Sequence, residues 1–321
     1  MRSLVTIEGV VTGSAWPDPH VCVTLGAADE QGWTRDWTVQ MGSTITVARM
    51  GWDRDSLTAG ERVTIRTHAA VDGRSYGLSN SIVKADGVRL PTAFERSSGE
   101  PLLRVAEPAV GASSGEGRWI AASAKLVSHP GGIDGFFRAR LTLTDKAQAQ
   151  AAQAALDELT VDNPEATRIG RPTPGMIVST NLFPLEIGFV SEDIIVIRSE
   201  YFDDERTVHM DGCGHPASTK RSVGGHSAGQ WEGDTLVVDT TDFVDQRSPY
   251  QSGVPSGAHK HVAEQHRVLE GGKRMMVELV LEDSEYIVSV MNQSRELVYS
   301  PQMQMSRFDS DAELTRRFVP E

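Results

Sequence analysis

Cysteines are scarce in this chain, and long apolar runs are absent. Its 321 residues include only two cysteines, Cys22 and Cys213, which lie far apart in the sequence. Two such cysteines provide neither a disulfide framework nor a thiolate metal motif. No apolar run approaches the roughly 20 residues that a membrane-spanning helix needs. These absences exclude a disulfide-stapled domain and a helical membrane protein.

Basic side chains are outnumbered by acidic ones, which argues against nucleic acids and anionic lipids as partners. The chain has 31 Lys and Arg against 44 Asp and Glu, a net charge of -13. Phosphate backbones and anionic lipid surfaces repel such a chain. Neither a G-x-x-x-x-G-K-[ST] loop nor a strand-bound G-x-G-x-x-G is present. We therefore expect no nucleic-acid partner, no membrane partner and no cofactor.

The first residues also lack the apolar segment of an export signal. The start, Met1-Arg-Ser-Leu-Val-Thr-Ile-Glu8, contains no small-residue cleavage site. The sequence as numbered predicts a cytoplasmic location, or a periplasmic one if the mature form was trimmed.

Short alternating segments predict an all-β protein with two domains. Five such segments in residues 1–92, with the helix-like run 45–52 after the third, predict an OB-like small barrel. Residues 93–117 are rich in Gly, Ser and Pro and are interpreted as a linker. In residues 118–321, one helix at 146–159 precedes about eight strands. These strands predict a calycin- or lipocalin-like antiparallel barrel with an apolar interior.

Histidines concentrate in the second predicted domain. Six of the nine lie between residues 209 and 266, around the glycine-rich segment 224–243. Strands flanked by such a segment bring polar side chains to a barrel mouth, where ligand sites are common. The six are His209, His215, His226, His259, His261 and His266.

The same region resembles a large set of uncharacterised bacterial proteins, most of them exported. The resemblance rests on Gly225-His-Ser-x-Gly-x-Trp-Glu-Gly-Asp-Thr-Leu-Val-Val-Asp-Thr-Thr-x-Phe243, with His209-Met-Asp-Gly-x-x-His-Pro216 before it and His261-Val-x-Glu264 after it. It extends to Asp162-Asn-Pro164 and to Trp16-Pro-Asp-Pro-His20 in the N-terminal domain. The resemblance implies a two-domain β-protein and no particular activity. Exported members usually begin with a signal peptide and a His-His segment, neither of which is expected from the sequence as numbered.

Four chemical interpretations fit these residues. A serine hydrolase would use the Gly225-His-Ser-Ala-Gly229 pentapeptide, but no buried strand is expected before Ser227 and no helix after it. A His-ligated metalloenzyme would use His259-x-His261 with His215 or His226. Acid–base catalysis without a cofactor needs only histidines poised by carboxylates. The fourth is a noncatalytic small-molecule binding module.

We favour the acid–base enzyme, of isomerase, lyase, hydratase or cyclase type, acting on a hydrophobic small molecule in the C-terminal barrel. The expected proton-transfer residues are His226, His261, Asp239 and Glu264, with no metal. The expected substrate-binding residues are Trp231, Phe243, Arg206, Glu200 and His215.

The remaining expectations are less specific. Asp234, directly after Gly233, is expected in a turn, and His209 and His266 at solvated strand positions. Residues 118–321 hold 20 basic and 30 acidic side chains, so a site there should favour neutral or cationic ligands. A homodimer is an assembly that the sequence leaves open.

Overall fold

The computed structural model divides the chain into two compact units. Their described residues are 4–92 in the first and 108–306 in the second. The structure describes residues 4–16, 20–28, 32–70, 73–90, 92, 108–122, 142–149, 175–178, 180, 183–217, 220–245 and 256–306.

The N-terminal unit is a curved sheet with one short helix. Its order is β3-β2-β1-β4-β5-β6, and an additional parallel pairing of β3 with β5 closes five strands into a ring. Five strands in a ring cannot all alternate in direction, so one neighbouring pair must be parallel. The elements are β1 (Leu4–Ala15), β2 (Cys22–Ala28), β3 (Thr34–Gln40), α1 (Thr44–Arg49), β4 (Arg62–Ala69), β5 (Tyr76–Lys84) and β6 (Arg89–Leu90).

The helix α1 is inserted after the third strand, where the sequence placed it. Ser43 caps it, because its Oγ accepts a hydrogen bond from the backbone N–H of Thr46 at 3.1 Å. Ile45 and Val47 are buried on the inward side of the helix. The apolar cluster of this unit, which includes Val47, Leu25 and Ile65, fills the space between the strands and the helix.

The C-terminal unit is a closed barrel of nine strands. Around the barrel the order is β10-β11-β12-β13-β14-β15-β7-β8-β9. A short helix, α2 (Gly175–Val178), precedes β8. The strands are β7 (Gly117–Ala121), β8 (Leu185–Ser191), β9 (Ile194–Ser199), β10 (Asp204–His209), β11 (His226–Glu232), β12 (Thr235–Thr241), β13 (His261–Leu269), β14 (Arg274–Glu282) and β15 (Met291–Tyr299).

The predicted all-β class, with a small sheet first and a barrel second, is confirmed, but the strictly antiparallel barrel is wrong in one place. Strands β10 and β11 pair in parallel, through Val208 with Ser227 and His209 with Ala228. The physical reason is again an odd number of strands in a closed ring. Residues 210–225 therefore form a crossover connection and not a hairpin turn.

Other sequence assignments differ in detail. Strand β11 was not predicted, because its Gly and Ser residues hide the alternation, and β7 begins at the last residue of the predicted linker. Residues 286–290 form turns and an isolated bridge where a strand was expected. Of the predicted helix 146–159, residues 146–149 are helical and the rest lies outside the described residues. Within the described part of the chain, no helix is long and apolar enough to cross a membrane.

Apolar side chains of alternating residues fill the inside of the barrel. Val238 on β12, Val262 on β13 and Val277 on β14 are completely buried, as is Trp119 on β7. The indole N–H of Trp119 donates to the carbonyl of Gly115 at 3.0 Å. Alternation places the neighbours of these residues on the outer surface, and this arrangement determines where each candidate site residue lies.

The turn between β13 and β14 depends on close backbone contact. A Cβ on Gly272, which has a φ of +88°, would lie 1.9 Å from the carbonyl oxygen of Ala112. A Cβ on the adjacent Gly271, which has a φ of +62°, would meet nothing within 4 Å. Of these two glycines, Gly272 is therefore the one required both for its backbone conformation and for its lack of a side chain.

We expect Gly272→Ala to lower the free energy of unfolding much more than Gly271→Ala. The control variant carries only the left-handed backbone penalty, about 1–2 kcal/mol, whereas Gly272→Ala must also displace the segment at Ala112. Chemical denaturation of both variants measures the difference. Equal destabilisation would show that the close contact contributes nothing.

Candidate functional site

Histidines from three strands and the crossover gather on the outer surface of the barrel. We call this group the outer histidine cluster, and Asp239 on β12 lies at its centre. One Asp239 oxygen is 2.7 Å from His215 Nε2, and the other is 2.5 Å from His261 Nε2. The members are His209, His215, His226, His261 and Asp239.

The hydrogen bonds continue beyond Asp239 in both directions. His215 Nδ1 lies 2.9 Å from His226 Nδ1, and the His226 ring stacks on His209 with centroids 4.8 Å apart and planes within 4°. On the other side, His261 Nδ1 is 3.4 Å from Glu282 Oε2. The cluster is thus a continuous chain of polar contacts across strands β10 to β14.

Hydrogen bonding assigns the tautomers along this chain. An ionised carboxylate only accepts, so both Nε2 atoms that face Asp239 carry hydrogens. A neutral His215 then has its lone pair on Nδ1 and accepts a hydrogen bond from the Nδ1–H of His226. His226 is left with a lone pair on Nε2, which is the form of histidine that acts as a base.

The pKa shifts follow the same contacts. Burial of His226 and the neighbouring His209 and His215 lower its pKa. Burial alone would lower the pKa of His261, but Asp239 and Glu282 outweigh it and raise that pKa. Burial alone would raise the pKa of Asp239, but hydrogen bonds from His261 and His215 lower it. At neutral pH the cluster therefore combines a neutral His226 with an ionised Asp239.

A second polar group lies inside the barrel, and we call it the inner polar cluster. Arg206 Nη2 bonds Glu264 Oε2 at 2.5 Å, and both side chains are almost completely buried. Arg206 Nη1 also donates to Thr240 Oγ1 at 3.2 Å and lies 3.4 Å from Ser227 Oγ. The members are Arg206, Ser227, Thr240 and Glu264.

The structure therefore separates the four predicted proton-transfer residues. His226, His261 and Asp239 belong to the outer histidine cluster, whereas Glu264 is bound to Arg206 inside the barrel. Glu264 and His261 are an odd number of residues apart on β13, so their side chains face opposite sides of the barrel wall. His215, predicted to bind substrate, is part of the outer cluster.

The geometry does not assemble a serine-protease-like triad. Ser227 is in strand β11 and faces inward, where its Oγ lies 2.9 Å from Thr240 Oγ1. Asp239 and His261 face outward. Among the described residues, no set of three or more His, Cys, Asp or Glu side chains is arranged to hold a metal ion.

One end of the barrel contains an apolar cavity of about 280 Å³. Trp231, 47% exposed, lies at its edge, and its ring packs edge-on against Phe189 at a centroid distance of 6.0 Å. The β11–β12 turn at Gly233 and Asp234 also borders it, as predicted for a turn position. Its apolar walls include Ile187, Phe189, Leu236, Val268 and Met275, and Ser113 and Ser114 also line it.

His266 is the buried polar residue of this cavity. It is only 3% exposed, and neither ring nitrogen has a hydrogen-bond partner among the described residues. Burial lowers its pKa to about 4, so the ring is neutral at pH 7. The expectation that His266 is solvated was wrong. The signal was the alternation Val262, Glu264, His266, which places it on the inward face.

The remaining predicted residues lie away from the cavity. Phe243 is buried, with Lys260 Nζ 3.9 Å from the centre of its ring. Burial lowers the pKa of Lys260 to about 7, although Asp283 acts in the opposite direction. Glu200 is buried and accepts a hydrogen bond from the backbone N–H of Ser306 at 2.7 Å. Sequence reasoning did not single out Lys260.

Comparisons with known proteins give limited information. A model for a "Family of unknown function (DUF6152)" matches residues 1–80, which fits the resemblance to an uncharacterised family and does not include the histidine-rich segment. A search of curated proteins gave no match. Among solved structures, a crystal structure of a mutant of the fluorescent protein UnaG is similar at 13% identity and a TM-score of 0.24, covering 42% of this chain and 84% of that one. None of these comparisons assigns an activity.

We expect His261 to titrate above the ordinary histidine value and His226 below it. Asp239→Asn should lower the pKa of His261 markedly, because it removes the charge that stabilises the imidazolium. Two-dimensional NMR of the histidine rings measures both values. An unchanged His261 pKa in the variant would contradict the contact.

The same shifts fix the sign of the effect on stability. Because the pKa of Asp239 is lowered in the folded state, its ionised carboxylate stabilises the fold fully above the ordinary carboxyl pKa. This stabilisation is lost as pH falls through the folded pKa. Because the pKa of His261 is raised in the folded state, its protonated ring stabilises the fold fully below the ordinary imidazole pKa. This stabilisation is lost as pH rises through the folded pKa. The contribution of this pair should therefore be largest in mildly acidic solution, between those two limits.

Proposed function

We propose that the C-terminal barrel binds a small, mostly apolar molecule in the cavity that His266 lines. The observation that carries the proposal is a neutral, buried imidazole, unpartnered within the described chain, at the wall of a mostly apolar cavity. A buried polar atom without a partner costs about 1–3 kcal/mol. A ligand that hydrogen-bonds the ring would offset this cost.

Other features of the cavity support a small ligand. A volume of about 280 Å³ is just below the roughly 300–1,000 Å³ of pockets for drug-sized molecules. Trp231 presents an exposed aromatic surface at the edge, where an entering apolar molecule would first make contact. A closed barrel with an apolar interior is the calycin-like arrangement that we expected for such a binder.

We expect Val268→Phe to weaken binding of the neutral fluorescent probe N-phenylnaphthylamine at least about tenfold, because the larger side chain fills the cavity. A tenfold loss of affinity corresponds to about 1.4 kcal/mol. Val268 lines the cavity, whereas Val288 is 66% exposed and does not. Val288→Phe is therefore the matched control and should bind like the unmodified chain. Fluorescence titration measures the affinity.

A further variant distinguishes a filled cavity from a misfolded barrel. Val268→Ala enlarges the cavity and should fold and still bind the probe, and circular dichroism monitors the fold of each variant. Unchanged binding by a folded Val268→Phe would refute the cavity as the site.

Acid–base catalysis is a second candidate function, and the outer histidine cluster favours it. Asp239 orients His215, and His215 orients His226 so that a lone pair remains on Nε2 of a neutral ring. Oriented imidazoles of this kind transfer protons in cofactor-free isomerases, hydratases and lyases. Such a substrate would approach the outer surface of the barrel and would not need to enter the cavity.

We expect the protein to convert a component of a metabolite extract, and His226→Gln to abolish the conversion while the protein stays folded. An isomerase or cyclase changes chromatographic retention at constant mass, whereas a hydratase or dehydratase adds or removes water. Mass spectrometry distinguishes these outcomes. The exposed Lys220→Gln is a control outside the cluster, and equal conversion by His226→Gln would exclude this mechanism.

Location and assembly complete the proposal. We propose that the chain acts in the cytoplasm, with the periplasm as the alternative for a trimmed form, and that any self-association is as a homodimer. The apolar partner is the small molecule described above.

A further inference from the structure

We infer that the cavity of the C-terminal barrel selects neutral molecules with a hydrogen-bonding group at one end, bound with that group inward toward His266. This inference rests on the proposed binding function and specifies the class of ligand and its orientation. Three observations carry it: the unpartnered imidazole, the internally paired charges next to it, and the depth of His266 in the cavity.

The first observation is the hydrogen-bonding capacity of His266. A neutral imidazole has one N–H donor and one lone pair, and both nitrogens are buried without a partner among the described residues. A purely apolar ligand would leave the ring unsatisfied. A hydroxyl group can either donate to the lone pair or accept from the N–H, so it matches whichever nitrogen faces the cavity.

The second observation is that two described arginines on the inner face of the barrel, Arg206 and Arg295, already have hydrogen-bond partners in Glu264 and Thr180. Arg206 acts electrostatically on His266 together with Glu264, and Glu264 already binds it at 2.5 Å. Glu264 lies two residues from His266 on the same inward face of β13. A carboxylate bound at His266 would meet the Glu264 carboxylate next to it and Asp234 at the cavity edge.

A charged ligand of either sign would therefore be penalised. Moving an ion out of water without a counter-charge costs several kcal/mol. The Arg206–Glu264 pair is neutral as a whole, so it compensates neither an anion nor a cation. His266 adds no positive charge at pH 7, since burial lowers its pKa to about 4.

The third observation is the order of side chains along the strands. Trp231 and Val268 lie toward the cavity edge, and Leu236 pairs with His266 one layer further in. Glu264 follows in the next inward layer of β13. His266 thus lies one inward layer deeper than Val268 and its partner Met275, so an amphiphile fits with its polar end against His266 and its apolar chain against these two residues.

The test compares three eight-carbon amphiphiles that differ only in the polar end. Octanol, octanoate and octylamine compete at neutral pH for the site occupied by N-phenylnaphthylamine in the full chain. We expect octanol to displace the probe at least about tenfold more effectively than octanoate or octylamine, a difference of about 1.4 kcal/mol. Octanoate or octylamine binding as well as octanol would overturn the inference.

Substitutions at His266 test the orientation. His266→Leu should remove the advantage of octanol over octane, whereas His266→Gln, which keeps a polar group, should retain part of it. His259 is exposed and does not line the cavity, so His259→Leu is the matched control and should leave the preference unchanged. An octanol preference that survives in folded His266→Leu would overturn the inward orientation.

The possible results distinguish a failure of this inference from a failure of the proposed binding function. Probe binding together with a preference for a charged amphiphile contradicts the ligand class alone. Failure of the probe and of all three amphiphiles to bind contradicts the proposed function itself, and the inference with it.

Discussion

The alternation of side chains along a β-strand is the constraint on which both candidate sites depend. Successive residues of one strand face opposite sides of the barrel wall. On β12, Asp239 faces outward and Thr240 inward, and on β11 His226 and Ser227 divide in the same way. One stretch of sequence therefore supplies two chemically different groups, a titratable cluster outside and a buried ion pair inside, and no side chain can belong to both.

Much of the fold could be predicted from the sequence, because its evidence is local. Alternation revealed most strands, and the helix after the third strand was visible as a break in that pattern. Strand β11 was hidden because Gly229 and Ser227 blur the alternation. The parallel junction was not predictable from any one strand, since it follows from the number of strands that close the ring.

The candidate sites were predicted less well, because they depend on register. The sequence brought His226, His261 and Asp239 to attention, and the structure places them within one connected cluster. The sequence also suggested that Glu264 would join them. That prediction depended on which side of the barrel wall Glu264 faces, and composition does not show this. His266 was missed for the complementary reason: its burial depends on neighbouring strands. The available sign was the alternation Val262, Glu264, His266, which places His266 on the inward face of β13.

The parallel junction has a mechanical consequence for the barrel. Strands β10 and β11 pair over only two residues, whereas other neighbouring strands of the barrel pair over three or more. On the inner side this short seam is crossed by the contact of Arg206 with Ser227, and on the outer side by the stacked rings of His209 and His226. The cylinder is thus completed at its thinnest joint by side chains as well as by backbone amides, so the continuity of the wall there depends on the identity of a few residues and not on the backbone alone.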